Sequence, residues 1–259
     1  MYITIQALVL RVTTYNDTDA LLTLLSLDRG KLTVKARGLR KKNSPLVAPC
    51  QLLAFGEFTL FEYRGMYTIN EARSIELFLQ LRQDLQKLSL GTYFAQAAEM
   101  VCQEDLPNPE ILSLVLNSLY ALSKLNFSEQ HVKAVFELRL ACLAGYEPDL
   151  LGCRMCGNTI ADRFDISAGQ LICSRCSNRE TGGIRMPVTP GMLDAMRYIC
   201  YSDPKRLFAF RLGDNTVEAL SSITEGYFTT QLEQGFSTLD FYKSLLNPFS
   251  SFESGDNHV

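Results

Sequence analysis

Four cysteines constrain this 259-residue chain more than any other feature. Cys153, Cys156, Cys173 and Cys176 read Cys-x2-Cys-x16-Cys-x2-Cys within LGCRMCGNTIADRFDISAGQLICSRCS. Each Cys-x-x-Cys knuckle can supply two thiolates to a tetrahedral metal, so the spacing predicts one structural Zn2+. Gly157 follows the first knuckle, where the backbone must turn tightly. Arg163 to Asp165 and Gln170 to Ile172 flank Ser167-Ala168-Gly169, the pattern of a hairpin. A closed four-thiolate site has no open coordination position, so the module is expected to build structure and not to name a reaction.

Disulfides, scattered core cysteines and a redox-active dithiol are the competing readings. Disulfides need an oxidising compartment. The N-terminus, MYITIQALVL, lacks the order of a secretory signal, and no apolar run approaches the ~18 residues of a membrane span. A cytoplasmic location with reduced thiols is the expectation. Cys50, Cys102, Cys142 and Cys200 stand alone in apolar surroundings and read as small core side chains.

A hydrophobic content of 47% and a charged content of 20% are ordinary for a globular protein, and the length allows more than one domain. The net charge of −3 argues against a wholly basic nucleic-acid binder. Its distribution is uneven. Arg29 to Gly56 carries seven basic residues and no acidic one, which leaves −10 for the remainder. That asymmetry predicts a polyanion-binding patch on an acidic body.

The first ~75 residues read as β. Tyr2 to Thr14, Ala20 to Ser26, Leu32 to Arg37, Gln51 to Tyr63 and Met66 to Ala72 form about five strands with short turns, the content of an OB-fold barrel. From Leu77 the period becomes helical. Arg82 to Glu104 is a first helix, and Asn108-Pro109 caps a second to Lys124. Ser128 caps a third, ending near Gly145. Thr189-Pro190 opens another, Val217 to Tyr227 marks a further one, and Leu239 to Leu246 a last. The expected fold class is α+β with several domains: barrel 1–78, helical body 79–148 and 187–246, embedded zinc module 149–186, and a disordered tail 247–259.

Lys31, Lys35 and Arg37 occupy odd positions on one strand and so share a face. Arg40, Lys41 and Lys42 follow in a loop. Together they are the candidate contacts to a nucleic-acid backbone; a solvated strand edge that discourages aggregation is the alternative. Phe55, Phe58, Phe61, Tyr63 and Tyr67 are expected mainly in the barrel core, and Tyr15 is the better candidate for stacking on a base. Lys133, Phe136 and Arg139 recur on one side of the third helix. They are the candidate site for an acidic, hydrophobic peptide tail, against an ordinary amphipathic helix. No phosphate-cradling glycine loop occurs, so no nucleotide cofactor is expected. There are only two histidines, His131 and His258; general acid–base catalysis most often uses histidine, and nothing in the sequence arranges either with a nucleophile, so an enzyme is disfavoured.

These parts, in this order, resemble the RecO family of bacterial recombination mediators, to about Leu246. The most specific stretches are DTDALLTLLSLDRGKLTVKARGLRKKNSPL, FELRLACLAGYEPDLLGCRMCG and ICSRCS. The resemblance implies an OB-fold, a helical body and a zinc module. It implies binding of single- and double-stranded DNA and ATP-free annealing of complementary strands. It also implies partnership with RecR and single-strand-binding protein, loading of the RecA recombinase on coated DNA, and a cytoplasmic, nucleoid-associated location. On this likeness Lys35, Arg37 and Arg40 to Lys42 would contact phosphates, and the Lys133/Arg139 helix would receive the acidic tail of single-strand-binding protein. A zinc-ribbon scaffold or transcription-related protein that touches DNA weakly is the rival.

Overall fold

Five strands within the first 76 residues build a barrel. The computed structural model describes residues 1–179 and 182–246; the expected tail lies outside the described residues. Strands β1 (Tyr2–Thr14), β2 (Ala20–Ser26), β3 (Gly30–Ala36), β4 (Phe55–Tyr63) and β5 (Met66–Glu76) come first. Helices α1 (Leu85–Val101), α2 (Pro109–Lys124) and α3 (Glu129–Leu143) follow. Then come β6 (Arg163–Asp165), β7 (Gln170–Ile172), α4 (Ser174–Ser177), β8 (Arg185–Pro187), α5 (Pro190–Tyr201), α6 (Asp214–Leu232) and α7 (Ser237–Leu246). These elements group into two compact units: Met1–Leu125 with the segment from Phe236, and Asn126–Gly235.

In the first unit the strands close in the order β1-β2-β3-β5-β4, with β1 pairing back onto β4. The parallel β3–β5 contact, Val34 to Tyr67 and Lys35 to Thr68, completes an OB-type barrel. Ile3, Ile5, Ala7 and Val9 of β1 point inward with Leu22, Leu24, Leu32, Val34, Phe58, Leu60 and Ile69. β1 is long enough to serve two neighbours, and a register shift between Val9 and Arg11 bends it around the barrel. Leu8 and Leu25 face each other on the outside yet are fully buried, because α1 and α2 pack on that side. The expected strand start at Gln51 is corrected to Phe55, since Arg37–Ala54 runs as turns. Of the five barrel aromatics only Phe58 is fully buried; alternation along β4 sends Phe61 and Tyr63 outward.

The helix expected from Arg82 begins instead at Leu85. Asp84 is its N-cap and accepts from the N–H groups of Gln86 and Lys87, after a short 3-10 turn over Leu79–Gln83. Asn108 caps α2 with Pro109 in its first turn, as the sequence predicts. α7 packs along α1, and Phe236 meets Tyr93 edge-to-face at 5.3 Å.

In the second unit α3 packs against α6 and α5, so a helical stretch that is continuous in sequence divides between two units. A three-stranded sheet, β7-β6-β8, carries the cysteine module. The hairpin of β6 and β7 pairs Arg163 with Ile172 and Asp165 with Gln170, and β8 adds a third strand that periodicity does not reveal. Phe164 and Leu171 are fully buried, and Phe164 meets Tyr227 of α6 at 5.3 Å.

His131, only 4% exposed, stacks on Phe127 at 4.7 Å and lies 4.8 Å from the Phe210 ring. Burial, and then the nearby Arg211, lower its pKa from 6.5 to about 4. The folded state therefore favours the neutral ring. Its contribution is fully present above pH 6.5 and is lost as pH falls from 6.5 towards 4, on the order of 2–3 kcal/mol in all. Thermal melts of wild type and His131→Phe should diverge below pH 6.5, with the variant losing less stability. Parallel curves would refute this source of acid sensitivity.

Candidate nucleic-acid interface and metal site

β3 buries Gly30, Leu32, Val34 and Ala36 and turns Lys31, Thr33 and Lys35 outward, as strand alternation requires. The basic residues do not act as one row, however. Lys31 donates to the carbonyl oxygen of Glu99 in α1 at 3.0 Å. Nearby, Arg11 pairs with the Glu99 carboxylate at 2.8 Å. Lys31 thus tethers the barrel to α1. It lies four residues, roughly 13 Å, from Lys35 along the strand.

The other end of β3 opens onto two loops joined by one carboxylate. Gly38 leaves β3 at φ +67, a region that suits glycine, and this turns its N–H onto Asp19 Oδ1 at 2.9 Å. Lys35 pairs with Asp19 at 3.1 Å, and Asn16 Nδ2 and Thr18 Oγ1 donate to the same carboxylate. The Gly38 N–H, then Lys35, hold the Asp19 carboxyl well below the usual carboxylate range, so it is an anion at any working pH. Arg40 adds a second tie: its backbone N–H donates to Thr18 O at 3.0 Å and its guanidinium to Asn16 O at 2.9 Å. The loop Tyr15–Asp19 and the loop after β3 are therefore locked together.

Lys35 Nζ also sits 4.5 Å from the centre of the Tyr15 ring, which is 57% exposed. Arg37, Lys41 and Lys42 are exposed, and among the described residues they make no ion pair. The result is an exposed aromatic bordered by cations on a rigid rim, an arrangement that can take a base face and neighbouring phosphates. Asp19 is not among the residues that charge or spacing along the chain singles out. The signal was an Asn-x-x-Asp loop facing a glycine in a basic run, but which of its acids would face inward depends on the barrel.

The structure places the three tail-binding candidates inside the second unit. Lys133 is 3% exposed and Phe136 fully buried. Lys133 contacts Glu137 at 3.1 Å, Glu225 at 2.8 Å and Ser221 Oγ at 3.3 Å. Thr224 Oγ1 donates to Glu137 at 2.9 Å. Burial raises the Glu137 pKa, and Lys133 opposes that rise. Arg139 donates to Ile199 O at 3.1 Å and to Cys200 O, satisfying carbonyls at the end of α5. Two of the three candidates thus present no surface to a peptide; helical spacing shows that residues share a side, not whether α6 covers it.

In the same unit the sulfurs of Cys153, Cys156, Cys173 and Cys176 all lie within 4.8 Å of one another. Cys156 and Cys173 sulfurs are 3.8 Å apart. Four thiolates about 2.3 Å from a tetrahedral metal stand about 3.8 Å apart, so the donor set fits one soft cation. Both knuckles fold through local hydrogen bonds: Gly157, at φ +69, donates to Cys153 O at 2.8 Å, and Cys176 donates to Cys173 O at 3.0 Å. Burial would raise the Cys153 thiol, but backbone N–H groups of Cys173, Met155 and Cys156 outweigh it and bring it down to about 6. Cys176 is pushed up to about 12 by hydrogen bonding with Cys173 and Cys156. The quartet shares protons that a bound dication would displace. Cys156 is exposed while the other three are buried, so the metal would sit near the surface. No helix among the described residues is long and apolar enough to cross a membrane.

Comparisons with known proteins converge on one family. The profile described as Recombination protein O N terminal matches residues 1–78, and that described as Recombination protein O C terminal matches 82–240. A protein called DNA repair protein RecO from Acetivibrio thermocellus is 33% identical over 94% of this chain and 97% of its own. One of the same name from Alkaliphilus metalliredigens is 28% identical over 95% of this chain and 100% of its own. Another, from Heliobacterium modesticaldum, is 32% identical over 84% and 81%. With two family profiles adjoining across the barrel and the helical and metal-site segments, the chain belongs to the Recombination protein O family.

Proposed function

We propose that this protein serves DNA repair and homologous recombination by binding DNA and annealing complementary strands, without ATP and without catalysing a covalent step. The observation that carries the reading is the locked rim of the barrel, where Asp19 and Arg40 join two loops beneath Arg37, Lys41, Lys42 and the exposed Tyr15. Family membership supports the repair role, since the relatives bear the name DNA repair protein. Phosphates would meet Arg37, Arg40, Lys41 and Lys42, with Lys35 shared between Asp19 and the backbone. Lys31, held by Glu99, stays outside the contact. Phosphate contacts position a strand without reading it, so sequence preference is weak. Neutralising two backbones at one surface lets complementary bases meet.

In this reading the quartet holds one structural zinc ion, whose thiolate donors suit it. When bound it supplies cross-linking, not chemistry. RecR, RecA loading and strands coated by single-strand-binding protein complete the pathway, in the cytoplasm and at the nucleoid. The burial of Lys133 and Phe136 leaves the contact with the acidic tail without an assigned residue.

The test is annealing of two complementary oligonucleotides precoated with single-strand-binding protein, in the absence of ATP. Arg37, Lys41 and Lys42 are better targets for charge reversal than Lys35, whose replacement by Glu would set two carboxylates together. The triple reversal should weaken single-strand affinity on the order of 100-fold or more. It should also flatten the log–log salt dependence by about 2, since each neutralised phosphate contributes about −0.7. Metal content should not change. Annealing that survives the reversal would place DNA elsewhere, and no annealing by wild type would favour the scaffold alternative.

Asp19→Ala separates shape from charge. It removes a negative charge, so electrostatics alone would raise affinity. If the rim works because it is locked, affinity falls instead, about threefold to tenfold, because ordering the loops now opposes binding. Fluorescence anisotropy with a labelled oligonucleotide decides the sign.

A further inference from the structure

Cys142, near the end of α3, and Cys200, near the end of α5, lie outside the metal quartet, and their sequence surroundings point only to core packing. The structure sets them side by side, with sulfurs 3.5 Å apart and in hydrogen-bond contact. A disulfide of about 2.05 Å would need the sulfurs to close by only about 1.5 Å, a movement within reach of side-chain rotation. Arg139 keeps the helices in place: one turn before Cys142, it donates to the carbonyl oxygens of Ile199 and Cys200. The guanidinium thus binds the negative end of α5 to α3 right beside the thiols. Cys142 is half-buried, within reach of a small oxidant, while Cys200 is 6% exposed.

The two partners differ in acidity. Hydrogen bonding with Cys200 lowers the Cys142 pKa, and Arg139 adds to this against burial and Glu147. That contact and burial raise Cys200. The solitary Cys50 and Cys102 behave differently, pushed up by burial to about 12 and about 11. A more acidic, reachable thiol beside a protonated resolving thiol is the layout of a peroxide-sensitive pair.

We propose that Cys142 and Cys200 form a reversible disulfide on exposure to a peroxide, a staple that joins α3 to α5. The Cys142 thiolate attacks one peroxide oxygen, the O–O bond breaks, and hydroxide leaves. The Cys200 sulfur then attacks the resulting sulfenic acid, forming the S–S bond as the S–O bond breaks. The Cys200 proton goes to the departing oxygen. In sum two thiols and one hydrogen peroxide give one disulfide and two waters. The cysteines are 58 positions apart, and the whole cysteine quartet lies between them in sequence. The staple therefore closes the loop that carries the metal module and restrains the unfolded chain.

The experiment titrates metal-loaded, full-length protein with hydrogen peroxide. Non-reducing peptide mapping and metal release are followed together. The expected result is loss of two hydrogens on a cross-linked Cys142/Cys200 peptide pair before metal appears in solution. The unfolding midpoint should rise by about 5–15 °C, and dithiothreitol should reverse the change. Cys142→Ala and Cys200→Ala should each abolish the link. Metal release before any link, or sulfinic acid at Cys142 with Cys200 still reduced, would overturn the proposal.

Discussion

Replacing Cys153 and Cys156 by serine, or stripping the metal with a chelator, is expected to unfold the cysteine module and loosen the Asn126–Gly235 unit. The strands that carry the site are three residues each, too short to hold a sheet alone. Their order rests on the two knuckles, on the pairing of Asp165 with Arg154 and Arg185, and on a few contacts with α6. Phe164 meets Tyr227, Gln231 donates to the carbonyls of Ile166 and Ser167 at 3.1 and 3.2 Å, and Ile166 packs close to Gly226. Tyr227 in turn donates to Tyr146 O at 2.9 Å, past the end of α3. A structural zinc ion contributes an apparent ~10–16 kcal/mol in small finger peptides, several times what these contacts can supply. The double variant should lose its metal, and its melting transition should fall by at least about 10 °C. Circular dichroism melts with metal analysis check this. A metal-free variant with an unchanged melt and selectively lost activity would show that the quartet does chemistry and not construction.

Lys133→Met should destabilise the same unit by about 3–5 kcal/mol, because it leaves the fully buried Glu137 without its cation. The deficit should grow with pH. Burial raises the Glu137 pKa above its usual 4.5, and losing Lys133 removes the largest opposition to that rise, with the Thr224 hydrogen bond still acting against it. A raised carboxyl favours the folded state only while protonated, so stability falls as pH climbs from 4.5 through the folded value. Lys133→Met with Glu137→Leu should recover most of the loss, since apolar groups of similar volume often replace a buried pair at little cost. Urea denaturation of the three proteins between pH 5 and 8 makes the comparison. An unchanged midpoint in Lys133→Met, with binding to an acidic peptide lost, would return Lys133 to the surface.

Features that adjoining residues control were legible along the chain. The Cys-x2-Cys spacing predicts the quartet, and the four sulfurs do converge. Asn108-Pro109 and Thr189-Pro190 mark two helix starts because a cap acts within three residues. Alternation along Gly30–Ala36 correctly turns Lys31 and Lys35 outward, because pleating is a property of two successive residues. Tertiary structure decided everything that needed a distant partner. Asp19 becomes the keystone of the basic rim only when Gly38, 19 positions on, turns its N–H towards it. Lys133 is core and not surface because Ser221, 88 positions away, comes to rest against it. Lys31 is a tether because α1 brings Glu99 to its end of β3. Caps, pleats and knuckles are set by torsions within a few residues, whereas exposure and charge pairing depend on which surfaces the folded chain buries against each other.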